Sequence, residues 1–111
     1  MPAIPELSPT EFRERWPVAL DRSEVTLLDV RELVELALAV VEGAVHVPMR
    51  EVPSRLAELD RNKPLVVMCH GGARSRRVAE FLVANGFDQV FNLKGGIDAW
   101  SEEIDPQIPR Y

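Results

Sequence analysis

The chain has 111 residues, 46% hydrophobic and 28% charged, with a net charge of −5 and a single cysteine. That length suits one domain, residues 1–111, with a core of its own, and the acidic balance argues against a nucleic-acid or anionic-membrane surface. A lone cysteine excludes an internal disulfide, and no apolar run approaches the roughly 20 residues that a spanning helix needs.

Met1-Pro2-Ala3-Ile4-Pro5-Glu6 has no basic stretch followed by an apolar core, so no secretory leader is read and a cytoplasmic location is expected. Ser8-Pro9-Thr10-Glu11 is a capping box with proline at the first helical position, which predicts a helix to Arg15. Val25 to Val30 is a β-branched and aliphatic run that reads as a buried strand, and Arg31 to Leu38 reads as a short helix with glutamates near its start. Gly43 to Pro48 gives a turn, a brief strand and a stop. Arg50 to Leu59 is helix-like, with Pro53 in its first turn. After the polar turn Asp60 to Pro64, Leu65 to Met68 forms a second buried strand ending at Cys69. A helix is predicted from Arg76 to Asn85, closed by Asn85-Gly86. Val90 to Leu93 is another strand, Gly95-Gly96 turns into a short helix carrying Trp100, and the tail from Ile104 to Tyr111 reads as irregular. Strands separated by helices predict an α/β domain with a mostly parallel sheet covered on both faces. Ligands of such sheets bind at the carboxyl ends of strands, where both Cys69 and Asp29 fall.

The segment after Cys69, His70-Gly71-Gly72-Ala73-Arg74-Ser75, carries the chemistry. Gly71 and Gly72 let the backbone curl so that successive N–H groups point inward as an anion nest. The following helix adds its positive end, and Arg74 adds a permanent charge able to hold an oxyanion or a persulfide. Together these favour thiolate over thiol and make the site accept an anion beside the sulfur. Such a nucleophile can attack sulfur, phosphorus or arsenic. Phosphatases that use cysteine have a longer loop between Cys and Arg, which leaves room for a tetrahedral phosphoryl group. Here only the four residues His70 to Ala73 intervene, and the tighter ring fits one sulfur atom bonded to Cys69 better.

Four blocks then carry a resemblance. Cys69 to Ser75 resembles the active-site loop of single-domain rhodanese-type sulfurtransferases. Leu28-Asp29-Val30-Arg31-Glu32 with Glu35 is similar to that family's Asp-Val-Arg element. Gly43-Ala44 with Val47-Pro48 resembles its Gly-Ala…Ile-Pro turn, and Asn92-Leu93-Lys94-Gly95-Gly96 with Trp100 resembles its closing segment. The resemblance implies a five-stranded parallel sheet flanked by helices and a persulfide intermediate on Cys69. That residue takes sulfane sulfur from a small anionic donor, thiosulfate or a persulfide, or from a protein persulfide partner, and passes it to a thiol or cyanide. It implies no metal or organic cofactor, and amides from His70 to Ser75 that hold the outer sulfur. The chain departs from the family where Ala39-Val40 replaces a Gly-His and Leu36 an aromatic. His70 and Gly71 stand where many thiosulfate-using members carry Arg or Lys, which points to a persulfide donor in place of thiosulfate.

Asp29 and Arg31 read as support for the site's rim, and His46 as a packed or rim residue. His70, beside the nucleophile, reads as a loop and acceptor-specificity residue. Arg76 and Arg77 make a local basic patch that can steer anions. Trp16 and Trp100 read as core or rim anchors. Two other readings stay open at this level. One is a cysteine phosphatase or arsenate reductase on the same scaffold; the other is an anion-binding or redox-sensing module without turnover.

Overall fold

In the computed structural model, which describes residues 3–18 and 24–111, the chain runs β1 (Glu6–Leu7), α1 (Pro9–Arg15), β2 (Thr26–Asp29), α2 (Leu33–Leu36) and β3 (Val45–His46). A 3-10 helix (Met49–Glu58), β4 (Leu65–Met68), α3 (Ala73–Ala84), β5 (Val90–Leu93) and α4 (Gly96–Glu103) follow. Met1 and Pro2, part of the N-terminal stretch read above, lie outside the described residues. The strands form one sheet in the order β1-β5-β4-β2-β3, with every pairing parallel. The α/β class and the parallel sheet are as the sequence predicts. β1 is the element that the sequence reading missed. It has only two residues, too few to show a period, and it exists because its edge pairs with Asn92 and Leu93 of β5.

Both faces of the sheet are covered, so the central strand β4 is apolar throughout and its alternate residues feed two separate cores. Leu65, Val67 and Cys69 face one side, with Leu28, Val78, Ala79 and Leu82, beneath α3 and the 3-10 helix. Val66 and Met68 face the other side, with Leu27, Phe12, Ile97 and Trp100, beneath α1 and α4. The Phe12 ring meets Trp100 edge-on at 5.4 Å and Trp16 at 5.2 Å, which makes both tryptophans anchors of this second core. The cap of α1 forms as predicted: the Glu11 amide donates to Ser8 Oγ at 3.1 Å, and the Ser8 amide donates to the Glu11 carboxylate at 2.9 Å.

Three helix boundaries differ from expectation. The helix read from Arg31 to Leu38 is a single turn, Leu33–Leu36. The segment read as Arg50 to Leu59 is a 3-10 helix carrying Pro53, with non-helical angles at Arg55, because proline leaves no N–H for a regular α-helical ladder. α3 begins at Ala73, three residues before Arg76, because Gly72 at φ +113° caps it in the left-handed region. Arg74 and Ser75 are therefore first-turn residues of a helix, and their side chains are placed by helical geometry. Among the described residues, no helix is long and apolar enough to cross a membrane.

Candidate active site

β4 sits in the middle of the sheet between β2 and β5, so its carboxyl end opens between two neighbouring strand ends. Cys69 is the first residue past that end. The loop backbone is held from the side of α4: the Ile97 and Asp98 amides, in its first turn, donate to the carbonyls of Cys69 at 2.9 Å and His70 at 3.2 Å. In a trans peptide the N–H lies opposite the C=O, so the His70 and Gly71 amides face away from α4. This docking explains Gly96. A Cβ there would strike the carbonyl oxygens of Cys69 and His70, and the residue has φ +59°.

Gly72 turns the loop into α3, and its amide donates to Cys69 Sγ at 3.0 Å. The Ser75 hydroxyl lies 3.3 Å from the same sulfur. Asn92, on β5, supports both: its Nδ2 donates to the Gly72 carbonyl at 3.1 Å, and its Oδ1 lies 2.5 Å from Ser75 Oγ. Ser75 and Asn92 are fully buried, and every described buried side-chain polar atom has a partner. Gly71 differs from Gly72. It has no positive φ and nothing within 4 Å of a built Cβ, so the curl assigned above to both glycines comes from Gly72 alone.

Arg74 does not aim its charge at the sulfur. Its Nη1 and Nη2 donate to the two carboxylate oxygens of Glu35, on α2, at 2.6 and 2.9 Å. The Tyr111 hydroxyl donates to the same carboxylate at 2.7 Å. Arg74 and then Tyr111 hold the Glu35 carboxyl down to about 2, from an ordinary value of 4.5. The Tyr111 hydroxyl in turn accepts from Arg31 Nη1 at 3.0 Å.

Asp29 and Arg31 lie beneath the rim, in the protein interior, at 2% and 0% exposure. Arg31 donates to Asp29 through Nε at 2.9 Å and Nη2 at 2.6 Å, and to the Ala39 carbonyl at 2.8 Å. A buried pair with this many bonds fixes geometry, and loss of either partner strands a charge. His46 is tied to the same place, its Nε2 donating to the Arg31 carbonyl at 2.7 Å. His70 leaves the loop toward the Tyr111 ring and stacks on it, with centroids 4.0 Å apart and planes 10° from parallel. Cys69 itself is 1% exposed. A groove of about 540 Å³ runs along the loop between Gly71, Gly72, Arg76, Arg77 and Lys94. Arg76 is not a free steering charge there, because it pairs with Glu6 of β1.

The structure thus gathers Cys69, Gly72 and Ser75 at one point and sets Arg74, Asp29 and Arg31 in a supporting layer. Three contributors escaped the sequence reading: Asn92 as a supporting group, Glu35 as the Arg74 partner, and Tyr111. Asn92 carried a signal, a polar residue inside the apolar run Val90-Phe91-Asn92-Leu93, since a buried amide requires partners. Tyr111 carried none, because its place depends on how the tail folds back.

Comparison with known proteins agrees with this architecture. Residues 17–103 match the family model described as "Rhodanese-like domain". A sulfurtransferase of Allochromatium vinosum is 36% identical over 88 residues, covering 79% of this chain and 82% of its own length. Thiosulfate sulfurtransferase GlpE of Actinobacillus pleuropneumoniae is 36% identical over 95 residues, covering 86% and 84% of the two chains. Among solved structures, a rhodanese-related protein from Thermoplasma volcanium superposes with a TM-score of 0.79 at 28% identity, covering 96% of this chain and 99% of that one. The matched span runs from before β2 through the whole of α4, so β2 to β5, the cysteine loop and the glycine turn that docks on it fall within one inherited unit, and the chain belongs to the rhodanese-like family.

Proposed function

We propose that this protein is a sulfurtransferase that carries sulfane sulfur on Cys69 as a persulfide. The observation that carries the reading is the Gly72 amide, 3.0 Å from Sγ, in a loop whose Cys69 and His70 carbonyls are tied away to α4. Donors fixed before the reaction stabilise a sulfur anion without reorganising. In the loading step the Cys69 thiolate attacks the outer sulfur of the donor. The Sγ–S bond forms, the donor's S–S bond breaks, and its electron pair leaves on sulfite or on the donor thiolate. In discharge an acceptor thiolate or cyanide attacks the outer sulfur, and the pair of the broken bond returns to Sγ, beside the Gly72 amide.

The donor class we favour is a persulfide. Arg74 is the one permanent cation in the loop, and Glu35 binds it through both Nη nitrogens, so the loop itself offers a thiosulfate dianion little uncompensated positive charge. Steady-state rates with glutathione persulfide and with thiosulfate test this preference, and faster use of thiosulfate overturns it.

The sulfur-carrier role is tested by intact-mass analysis after exposure to glutathione persulfide. The expected result is a gain of one sulfur atom that cyanide removes and that Cys69→Ser abolishes. No gain overturns the reading. Turnover of an aryl phosphate in its place supports the phosphatase alternative, against which the short loop argues.

A further inference from the structure

Behind Cys69, two acceptors face one hydroxyl. Ser75 Oγ lies 3.3 Å from Cys69 Sγ and 2.5 Å from Asn92 Oδ1, and a serine hydroxyl has a single proton to donate. Asn92 cannot provide a second. Its Nδ2 donates to the Gly72 carbonyl, a group that only accepts, and this turns Oδ1, also only an acceptor, toward Ser75. Ser75 and Asn92 are 0% and 1% exposed, so an unmet hydrogen bond here is not made good by bulk solvent.

We infer that Asn92 is a positioning residue that competes with Cys69 for the Ser75 proton and thereby sets how the site divides between free thiolate and persulfide. This rests on the sulfur-transfer reading. When Sγ holds the full negative charge, Ser75 turns its O–H to the sulfur and leaves Asn92 Oδ1 without a donor. When Sγ is the bridging sulfur of a persulfide, the charge lies on the outer atom and the hydroxyl returns to Asn92. The competition disfavours the free thiolate and favours the loaded state. It does so in both directions of the exchange, since loading consumes the Sγ anion and discharge regenerates it.

The test equilibrates wild type, Ser75→Ala and Asn92→Leu with one fixed mixture of glutathione persulfide and glutathione. The ratio of persulfide to free Cys69 is read by intact mass. Ser75→Ala removes a donor from the thiolate, so the ratio rises about two- to tenfold, the size of one net hydrogen bond. Asn92→Leu gives the hydroxyl wholly to the sulfur, and the ratio falls by a similar factor. Added to Ser75→Ala, Asn92→Leu changes nothing further, because its effect passes through the hydroxyl. Shifts of the two single variants in the same direction, or additive shifts in the double variant, overturn the inference.

A second measurement needs no variant. In wild type carrying 13C at asparagine side-chain carbonyls, the Asn92 resonance moves downfield on loading while those of Asn62 and Asn85 stay. An unmoved Asn92 resonance in a loaded protein overturns the inference alone. Wild type that gains no sulfur removes the sulfur-transfer reading together with it.

Discussion

Glu35 takes both Nη nitrogens of the Arg74 guanidinium and a third hydrogen bond from Tyr111, which makes it the link between α2 and the cysteine loop. Its carboxyl is held at about 2, against 4.5 when unperturbed, so its ionisation stabilises the fold. A depressed carboxyl contributes fully above the unfolded value and loses that contribution as pH falls toward the folded one. The stability advantage of wild type over Glu35→Gln is therefore complete above pH 4.5, shrinks below it and is gone near pH 2, as denaturant midpoints across that range will show. The same substitution frees Arg74 for the substrate. We expect the KM for thiosulfate to fall roughly fivefold, the order of one partly exposed ion pair. An unchanged KM would falsify the assignment of Arg74 as a neutralised charge.

At the scale of the element, the loop's shape is set by what presses on it. α4 donates two first-turn amides to the Cys69 and His70 carbonyls, and Gly96 is the point of closest approach. Gly96→Ala forces a methyl group into both carbonyl oxygens at a left-handed position. Loss on the order of 3 kcal/mol in stability is the expected result in a denaturant titration. Gly71→Ala, one residue from the opposite end of the cradle, meets open space and an unstrained backbone, so its midpoint should match wild type. If the two alanines behave alike, the docking of α4 is not what shapes the loop.

For the whole molecule the question is how a substrate reaches a cysteine that is 1% exposed. The tail folds back from α4 across the carboxyl end of the sheet, pinned by Arg110 to Asp98 at 2.8 Å and by Ser101 Oγ to the Ile108 carbonyl at 2.5 Å. It delivers Tyr111 to the His70 ring, to the Glu35 carboxylate and to the Arg31 guanidinium. Tyr111 is thus the part of the rim held by side-chain contacts, and its removal loosens His70 and Glu35 together. Tyr111→Ala should raise the alkylation rate of Cys69 by iodoacetamide roughly fivefold or more, as local opening becomes easier. Tyr111→Phe, which keeps the stack, should give a smaller rise. Equal rates in all three proteins would show that access does not pass the His70–Tyr111 rim.

Local chemistry made much of this legible in the chain itself. The capping box at Ser8, the apolar runs at β2, β4 and β5, and the Asn85-Gly86 stop each depend on neighbours in sequence, and so does the placing of Cys69 at a strand end before a glycine turn. The two-residue β1, the 3-10 course of Met49–Glu58, the Glu35–Arg74 pair and the return of Tyr111 to His70 join groups that are distant along the chain or that yield to packing. Arg74 shows the difference. Its type and spacing announce a cation beside a thiol, but where that charge goes depends on a carboxylate 39 residues away. Only the folded sheet brings the two within hydrogen-bond reach.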